Sequence, residues 1–120
     1  MKAFTQPLHD LSEYEQIVSD LAGHRTPIHI DGCIDSQKCH LISSIGEPYP
    51  FKLIVTYNEI KAKEIYEDYR FFDRNVYYYP AKDIIFYNAD IHSNLIVSQR
   101  MAVIRRMMDR CPVTVVTTID

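Results

Sequence analysis

The sequence predicts an α/β protein in which a parallel sheet carries helices on both of its faces. Strand-like and helix-like segments alternate along the chain, and the clearest strand-like segments, Leu53–Val55 and Val113–Val116, are near-continuous apolar runs. Alternation is typical of a parallel sheet, because each helix returns the chain to the start of the next strand. Strands buried on both faces also lose the apolar–polar alternation of a half-exposed sheet.

Four strands are predicted, at Pro27–Asp31, Phe51–Thr56, Val76–Tyr79 and Val113–Thr118. The first is a short, apolar-leaning run, and Gly32 turns the chain after it. Pro80 closes the third strand. The chain reaches Asp120 directly after the fourth strand, with no covering helix. We therefore expect an incomplete fragment of a larger protein.

Apolar side chains at helical spacing predict four helices. They are Leu8–Ala22, Ser36–Ile45, a helix that follows its cap Thr56 and runs to about Phe72, and Asn94–Asp109. Asp10 with Glu13, and Thr56 with Glu59, have the spacing of capping boxes. Ala81–Ile91 is predicted to be a loop that packs back on the body, because it is rich in apolar residues. The last helix has a broad apolar side, which predicts contact on two sides: Val97, Met101, Ile104 and Met108.

Composition narrows the class of protein. A chain of 120 residues suits a single domain, and its 47% hydrophobic content is enough for a core. The net charge of -3 gives no overall attraction to nucleic acid or an anionic membrane. Three cysteines do not make a disulfide framework, and neither a signal peptide nor a membrane-spanning run is present in the sequence. We expect a cytoplasmic protein without membrane contact.

The turn after the first predicted strand has a partial match to the phosphate loop G-x-x-x-x-G-K-[ST]. Gly32 and Lys38 are in register with the motif, whereas Gln37 replaces its second glycine and Cys39 replaces its serine or threonine. Asp35 adds a negative charge where phosphate would lie. We interpret the segment as a degenerate Walker A loop without hydrolysis, the alternative being an ordinary turn with a surface lysine. Its candidate residues are Gly32, Asp35, Ser36, Gln37, Lys38 and Cys39.

Other candidate sites are weaker. His29, Cys33, Cys39 and His40 are close in sequence but match no zinc signature, so no metal is expected. Tyr77–Tyr79 has the aromatic character of a base-stacking platform, but core packing is the favoured interpretation, because neighbours on a strand alternate faces. One basic segment is a candidate partner surface, with a solvated helix face as the simpler reading: Arg100, Arg105, Arg106 and Arg110.

Three stretches together resemble the N-terminal region of the bacterial transcription-repair coupling factors (Mfd). They are the degenerate loop Gly32–Cys39, the run Tyr79–Tyr87 with His92 and Gln99–Met101 after it, and the run Val115–Asp120. The second stretch is the most specific, although many members of the family have an aromatic residue where this chain has Lys82. The resemblance covers nearly the whole chain.

The resemblance implies a P-loop NTPase-like fold similar to domain 1a of the excision-repair protein UvrB, with residues 1–120 as one UvrB-like domain. The full-length relatives are ATP-dependent DNA translocases that displace stalled RNA polymerase and recruit UvrA. Their ATP and magnesium bind in a distant motor, so no cofactor is expected for this fragment. The main UvrA-contacting subdomain would begin just beyond Asp120. Contacts with the missing domains are also implied.

These observations lead to one expected function and two alternatives. The expected function is a non-catalytic scaffold within a protein of nucleotide excision repair. The first alternative is a nucleotide-binding domain in which Lys38 holds a phosphate without hydrolysis. The second is a small thiol enzyme that uses Cys39, although no base near this cysteine is evident from the sequence.

Overall fold

The computed structural model describes residues 2–81 and 89–119, without the side chains of Lys2 and residues 89–93. The chain forms two compact units, Met1–Pro48 (unit 1) and Tyr49–Asp120 (unit 2). Unit 1 is helical in its described part, and unit 2 contains a parallel sheet.

Unit 1 contains three α-helices and one short 3₁₀ helix. They are α1 (Lys2–Thr5), the 3₁₀ helix (Gln6–Asp10), α2 (Ser12–Ala22) and α3 (Asp35–Ile45). Tyr14 of α2 and Ser44 of α3 are both buried, and their hydroxyl oxygens lie 2.5 Å apart. This hydrogen bond joins the two longer helices, and it satisfies two polar groups that burial would otherwise leave without a partner.

The helix predicted at Leu8–Ala22 is interrupted. Leu11 has an extended backbone, with φ -86° and ψ 123°, and α2 begins after it without a side-chain cap. Asp10 therefore does not cap α2, contrary to the prediction. Instead, the Ser12 hydroxyl donates to the Glu13 carboxylate at 3.1 Å. Two hydrogen bonds to the Glu13 carboxylate lower its pKa from the ordinary value. The bond from a backbone N–H has the larger effect, and the bond from the Ser12 hydroxyl has the smaller.

The strand predicted at Pro27–Asp31 is absent. Residues 25–31 form no ladder with any described strand. Ile30 is 40% exposed, and His29 and Asp31 form a solvent-exposed ion pair of 2.9 Å. A strand needs a neighbour to satisfy its backbone groups, and this short run finds none among the described residues.

Unit 2 has the predicted α/β order with three strands. These elements are β1 (Phe51–Thr56), α4 (Glu59–Tyr69), β2 (Val76–Tyr78), α5 (Ala89–Met108) and β3 (Val113–Thr118). The strands are parallel in the order β1-β3-β2, and Leu53 and Tyr77 both lie in register with Val115. The predicted α/β class and parallel sheet are therefore confirmed, with three strands in place of four in the described part.

The boundaries of two helices differ from the prediction. The side-chain Oδ1 of Asn58 accepts a hydrogen bond of 2.7 Å from the Lys61 N–H, so Asn58 caps α4 in place of Thr56. Thr56 is instead buried at the end of β1. Helix α5 begins at Ala89, inside the predicted loop Ala81–Ile91, and residues 82–88 of that loop lie outside the described residues.

The two helices of unit 2 cover opposite faces of the sheet. Val103 of α5 packs with Val113 and Val115, and Tyr77 and Tyr79 pack against this cluster. Helix α4 contacts all three strands, and its Glu59 acts on Tyr78, whose side chain alternates with those of Tyr77 and Tyr79. The α4 face includes side chains that are completely buried: Ala62, Tyr69, Thr114 and Val116.

Candidate functional site

The degenerate phosphate loop lies in unit 1, whereas all three described strands lie in unit 2. Gly32 has φ +83°, a left-handed conformation that glycine adopts without strain. Cys33 and Ile34 follow it as irregular chain, and α3 begins at Asp35. The loop therefore precedes a helix, as a phosphate loop must, but no strand leads into it.

The Gln37 side chain binds a backbone N–H group at the start of α3, and this bond opposes phosphate binding. Its side-chain Oε1 accepts a hydrogen bond of 3.2 Å from the backbone N–H of Ile34. Backbone N–H groups at the start of a helix are the groups that bind phosphate in a working loop. Gln37 stands where the motif has glycine, and it occupies one of these donors with an oxygen of the protein itself.

Lys38 and Asp35 are paired with each other. The Lys38 Nζ lies 3.5 Å from Asp35 Oδ1, and both side chains are more than half exposed. An exposed pair of this kind adds little stability and can open. Even so, the Asp35 carboxylate partly neutralises the one cation that the motif retains. Ser36 lies beside it in the first turn of α3 and is exposed.

Cys39 is not placed as a reactive thiol. It is 1% exposed and lies on the buried side of α3. Reactive cysteines are partly accessible and lie in electropositive surroundings. Cys33 and Cys111 are half-buried, and no disulfide joins the three. Within residues 2–81 and 89–119, no group of three or more His, Cys, Asp and Glu side chains is arranged to hold a metal ion.

Two of the four candidate arginines contact residues in and beside β2, and the other two are exposed. The Arg100 guanidinium lies 5.0 Å from the centre of the Tyr79 ring, and its Nε donates to the Pro80 carbonyl at 2.9 Å. Arg106 lies 5.6 Å from the centre of the Tyr77 ring and donates to Asn75. These two arginines fasten α5 to β2, while Arg105 and Arg110 are exposed.

The three consecutive tyrosines Tyr77–Tyr79, the last of which directly follows β2, have two different roles. Tyr77 and Tyr79 are half-buried under α5 and receive the two arginines, which agrees with the predicted core role. Tyr78 faces α4. Burial is the main cause that raises the pKa of Tyr78 to about 12, and the negative charge of Glu59 adds to the effect.

A group of polar side chains that sequence reasoning missed lies near the carboxyl ends of the strands. Thr56 and Thr118 are in register, and Glu59 lies in the first turn of α4. The Thr118 hydroxyl is shielded from solvent and has no hydrogen-bond partner among the described residues, and the Tyr78 hydroxyl is shielded from solvent beside Glu59. Ligands bind at this end of parallel sheets. The sequence signal was available for Thr56 alone, which directly ends the apolar run Leu53–Val55.

The fold and the loop define an α/β chain with a parallel sheet, and with a helix start at which the Gln37 side chain binds the Ile34 N–H and Asp35 pairs with Lys38. No protein-family model, no curated protein and no solved structure matches the chain. Across the described ranges, none of the helices combines the length and apolar composition needed to cross a membrane.

Proposed function

We propose that this chain is a non-catalytic scaffold within the UvrB-like, P-loop NTPase-like module of a transcription-repair coupling factor. In this role it holds its shape, forms intramolecular contacts with other domains, and leaves ATP hydrolysis to a separate motor. The longer protein would displace stalled RNA polymerase from DNA and recruit UvrA. The resemblance in three stretches of sequence suggests the family, and the α/β order of unit 2 is compatible with it.

The observation that carries the non-catalytic part of this proposal is the hydrogen bond between Gln37 and Ile34. Gln37 stands where the motif has glycine, and its side-chain oxygen accepts a hydrogen bond from the backbone N–H of Ile34 at the helix start. The second support is the Asp35 carboxylate, which is 3.5 Å from Lys38 Nζ. A phosphate would have to displace both oxygens and overcome the repulsion of Asp35. Cys39, which is buried, offers no hydroxyl for magnesium.

Calorimetric titration of the chain with magnesium-ATP tests this proposal. We expect no heat of binding and no release of phosphate, and the same result for the matched variant Lys38→Ala. Binding by the wild-type chain that disappears in Lys38→Ala would contradict the scaffold and support a nucleotide-binding domain that uses Lys38. Phosphate release would contradict the non-catalytic role directly.

The partner is tested separately with purified UvrA. We expect weak or no binding by residues 1–120, and binding by a longer chain that continues past Asp120, because the resemblance implies that the main contact would lie there. Lack of binding by the extended chain would remove the repair assignment, while leaving the account of the degenerate loop in place.

A further inference from the structure

We propose that unit 2 self-associates as a two-fold dimer, in which α5 of each copy lies against β1 of the other. The proposal rests on two exposed apolar stripes of unit 2 and does not depend on the proposed repair function. The β1 stripe consists of Phe51, Leu53 and Val55, which are 47%, 55% and 52% exposed. The α5 stripe consists of Val97, Met101, Ile104 and Met108, which are 55%, 54%, 39% and 77% exposed.

The β1 stripe lies on the α5 side of the sheet. Phe51 and Leu53 are in register with Val113 and Val115, and these two valines face α5. Helix α5 contacts β2 and β3, and the exposure of Phe51, Leu53 and Val55 shows that the same face of β1 is largely uncovered. A helix is about 10 Å wide and two strands span a similar distance, so there is room for one more helix above β1. The β1 stripe is the floor of this trough.

The α5 stripe forms a ridge beside the trough. Val103 faces the sheet. At about 100° per residue, the side chains of the α5 stripe are rotated from that of Val103 by about 100° to 160° about the helix axis, in the direction in which the helix winds. A connection between parallel strands, such as that from β2 through α5 to β3, is as a rule a right-handed crossover. In this arrangement, rotation in that direction turns the stripe toward the side of α5 on which β1 lies. The residues nearest to 100° therefore face the trough sideways, and Met101, nearest to 160°, points away from the sheet.

The ridge and trough are complementary to each other across a two-fold axis. An axis that runs between two α5 helices, parallel to them, places each α5 above the β1 stripe of the other copy. The α5 stripes then meet each other on one side and the facing sheet on the other. A two-fold interface has to be self-complementary in this sense, since the same surface is used by both copies.

The size and charge of the surface favour a second copy as the occupant. If the seven side chains lose the exposed fractions given above, each copy buries roughly 700 Å², within the range of about 600–1,000 Å² per partner in specific interfaces. A continuous apolar patch of this size is at the upper limit for a monomer. None of the seven side chains is charged, so the two stripes themselves oppose no like charges.

Sedimentation of the 120-residue chain across a wide concentration range tests the proposal. We expect a dimer whose dissociation constant changes little with salt, because the contact is apolar. Leu53→Asp in the trough and Met101→Lys on the ridge should each weaken the dimer about a hundredfold or more, because each buries an unpaired charge. Ile60→Asp is the matched control. Ile60 is 72% exposed on α4, the opposite face, so this variant should remain dimeric.

Mixing the two variants gives the sharpest result. Leu53→Asp and Met101→Lys should each be monomeric alone, but a mixture of the two should form a mixed dimer. In one of its two α5–β1 contacts the introduced aspartate faces the introduced lysine, and in the other Leu53 and Met101 are both unaltered. Circular dichroism verifies that each variant is folded, and Val55→Asp replaces Leu53→Asp if that variant is not. A wild-type monomer at every concentration, association that both variants leave intact, or a mixture that remains monomeric would each overturn the proposal.

Discussion

At the scale of single residues, adjacent side chains of β2 experience different surroundings. Tyr77 lies under α5 with Arg106 5.6 Å from its ring centre, whereas Tyr78 faces α4 and the negative charge of Glu59. Alternation along a strand is the cause, because successive side chains point to opposite faces. The same alternation places Thr117 where its hydroxyl donates to the Tyr79 carbonyl at 3.0 Å, while the hydroxyl of the fully buried Thr114 has no partner in the described ranges.

The raised pKa of Tyr78 predicts a loss of stability in alkali. Its pKa is about 12 in the fold and 10.0 ordinarily, so the folded state favours the protonated hydroxyl. The contribution is complete below pH 10 and is lost as the pH rises from 10 through 12. We expect Tyr78→Phe to make the free energy of unfolding, measured by urea denaturation, fall less steeply across this range than in the wild type.

Tyr57→Phe is the control for this pH dependence. Tyr57 is 66% exposed, so its removal should leave the steepness of the wild type unchanged. The comparison isolates one tyrosine in a chain that has nine. A decline in Tyr78→Phe that is as steep as in the wild type would show that Tyr78 is ionised in the fold as readily as in the unfolded chain.

At the scale of elements, α5 is held on the sheet by arginines as well as by apolar contact. Only Val103 of its apolar residues is fully buried in the described part, while the predicted apolar side of Val97, Met101, Ile104 and Met108 is exposed. Arg100 reaches from α5 to the Tyr79 ring and the Pro80 carbonyl. Arg106 reaches to the Tyr77 ring and to the side-chain oxygen of Asn75. The planar guanidinium is suited to this, because it stacks and donates at the same time.

Replacement of Arg100 by lysine tests this attachment. Lysine keeps the charge but loses the planar stack on Tyr79 and the directed Nε donation to Pro80, so Arg100→Lys should lower the free energy of unfolding by about 1 kcal/mol. Arg105 is exposed, and Arg105→Lys should change this free energy by less than about 0.5 kcal/mol. Equal effects of the two substitutions in urea denaturation would contradict a fastening role for Arg100.

The sequence predicted elements with strong local patterns and failed where partners decide the structure. The apolar runs at β1 and β3 and the periodic segment at α4 correspond to elements of the fold. Pro27–Asp31 has a strand-like pattern, but a strand exists only beside another strand, and neighbours are not written in the local sequence. The apolar periodicity of α5 was recognised, yet the pattern alone does not tell a buried stripe from an exposed one.

The candidate site was predicted in part for the same reason. The sequence shows directly that Gln37 and Cys39 stand where the phosphate-loop motif requires a glycine and a serine or threonine. The bond from the Ile34 N–H to the Gln37 side chain could not, because it depends on where α3 begins. Tyr78 and Thr118 come from distant positions and both lie near the carboxyl ends of the strands only because β2 and β3 are paired.

At the scale of the whole molecule, the degenerate loop and the sheet belong to different compact units. The loop and α3 belong to unit 1, while unit 2 contains every described strand together with α4 and α5. Unit 2 also has its own buried residues on both faces of the sheet, including Val103, Val113 and Val116. A unit that contains its sheet and the helices on both faces has the elements of a two-sided core.

We therefore expect residues 49–120 to fold without unit 1. The isolated segment should keep α/β circular dichroism and unfold cooperatively on heating, because its sheet and the two helices that cover it are all retained. Val116 is completely buried, so Val116→Ala in the segment should lower the free energy of unfolding by about 1–3 kcal/mol, which verifies that the transition reports on the packed sheet. A gradual, non-cooperative transition, or one that Val116→Ala leaves unchanged, would mean that unit 2 requires unit 1 for its structure.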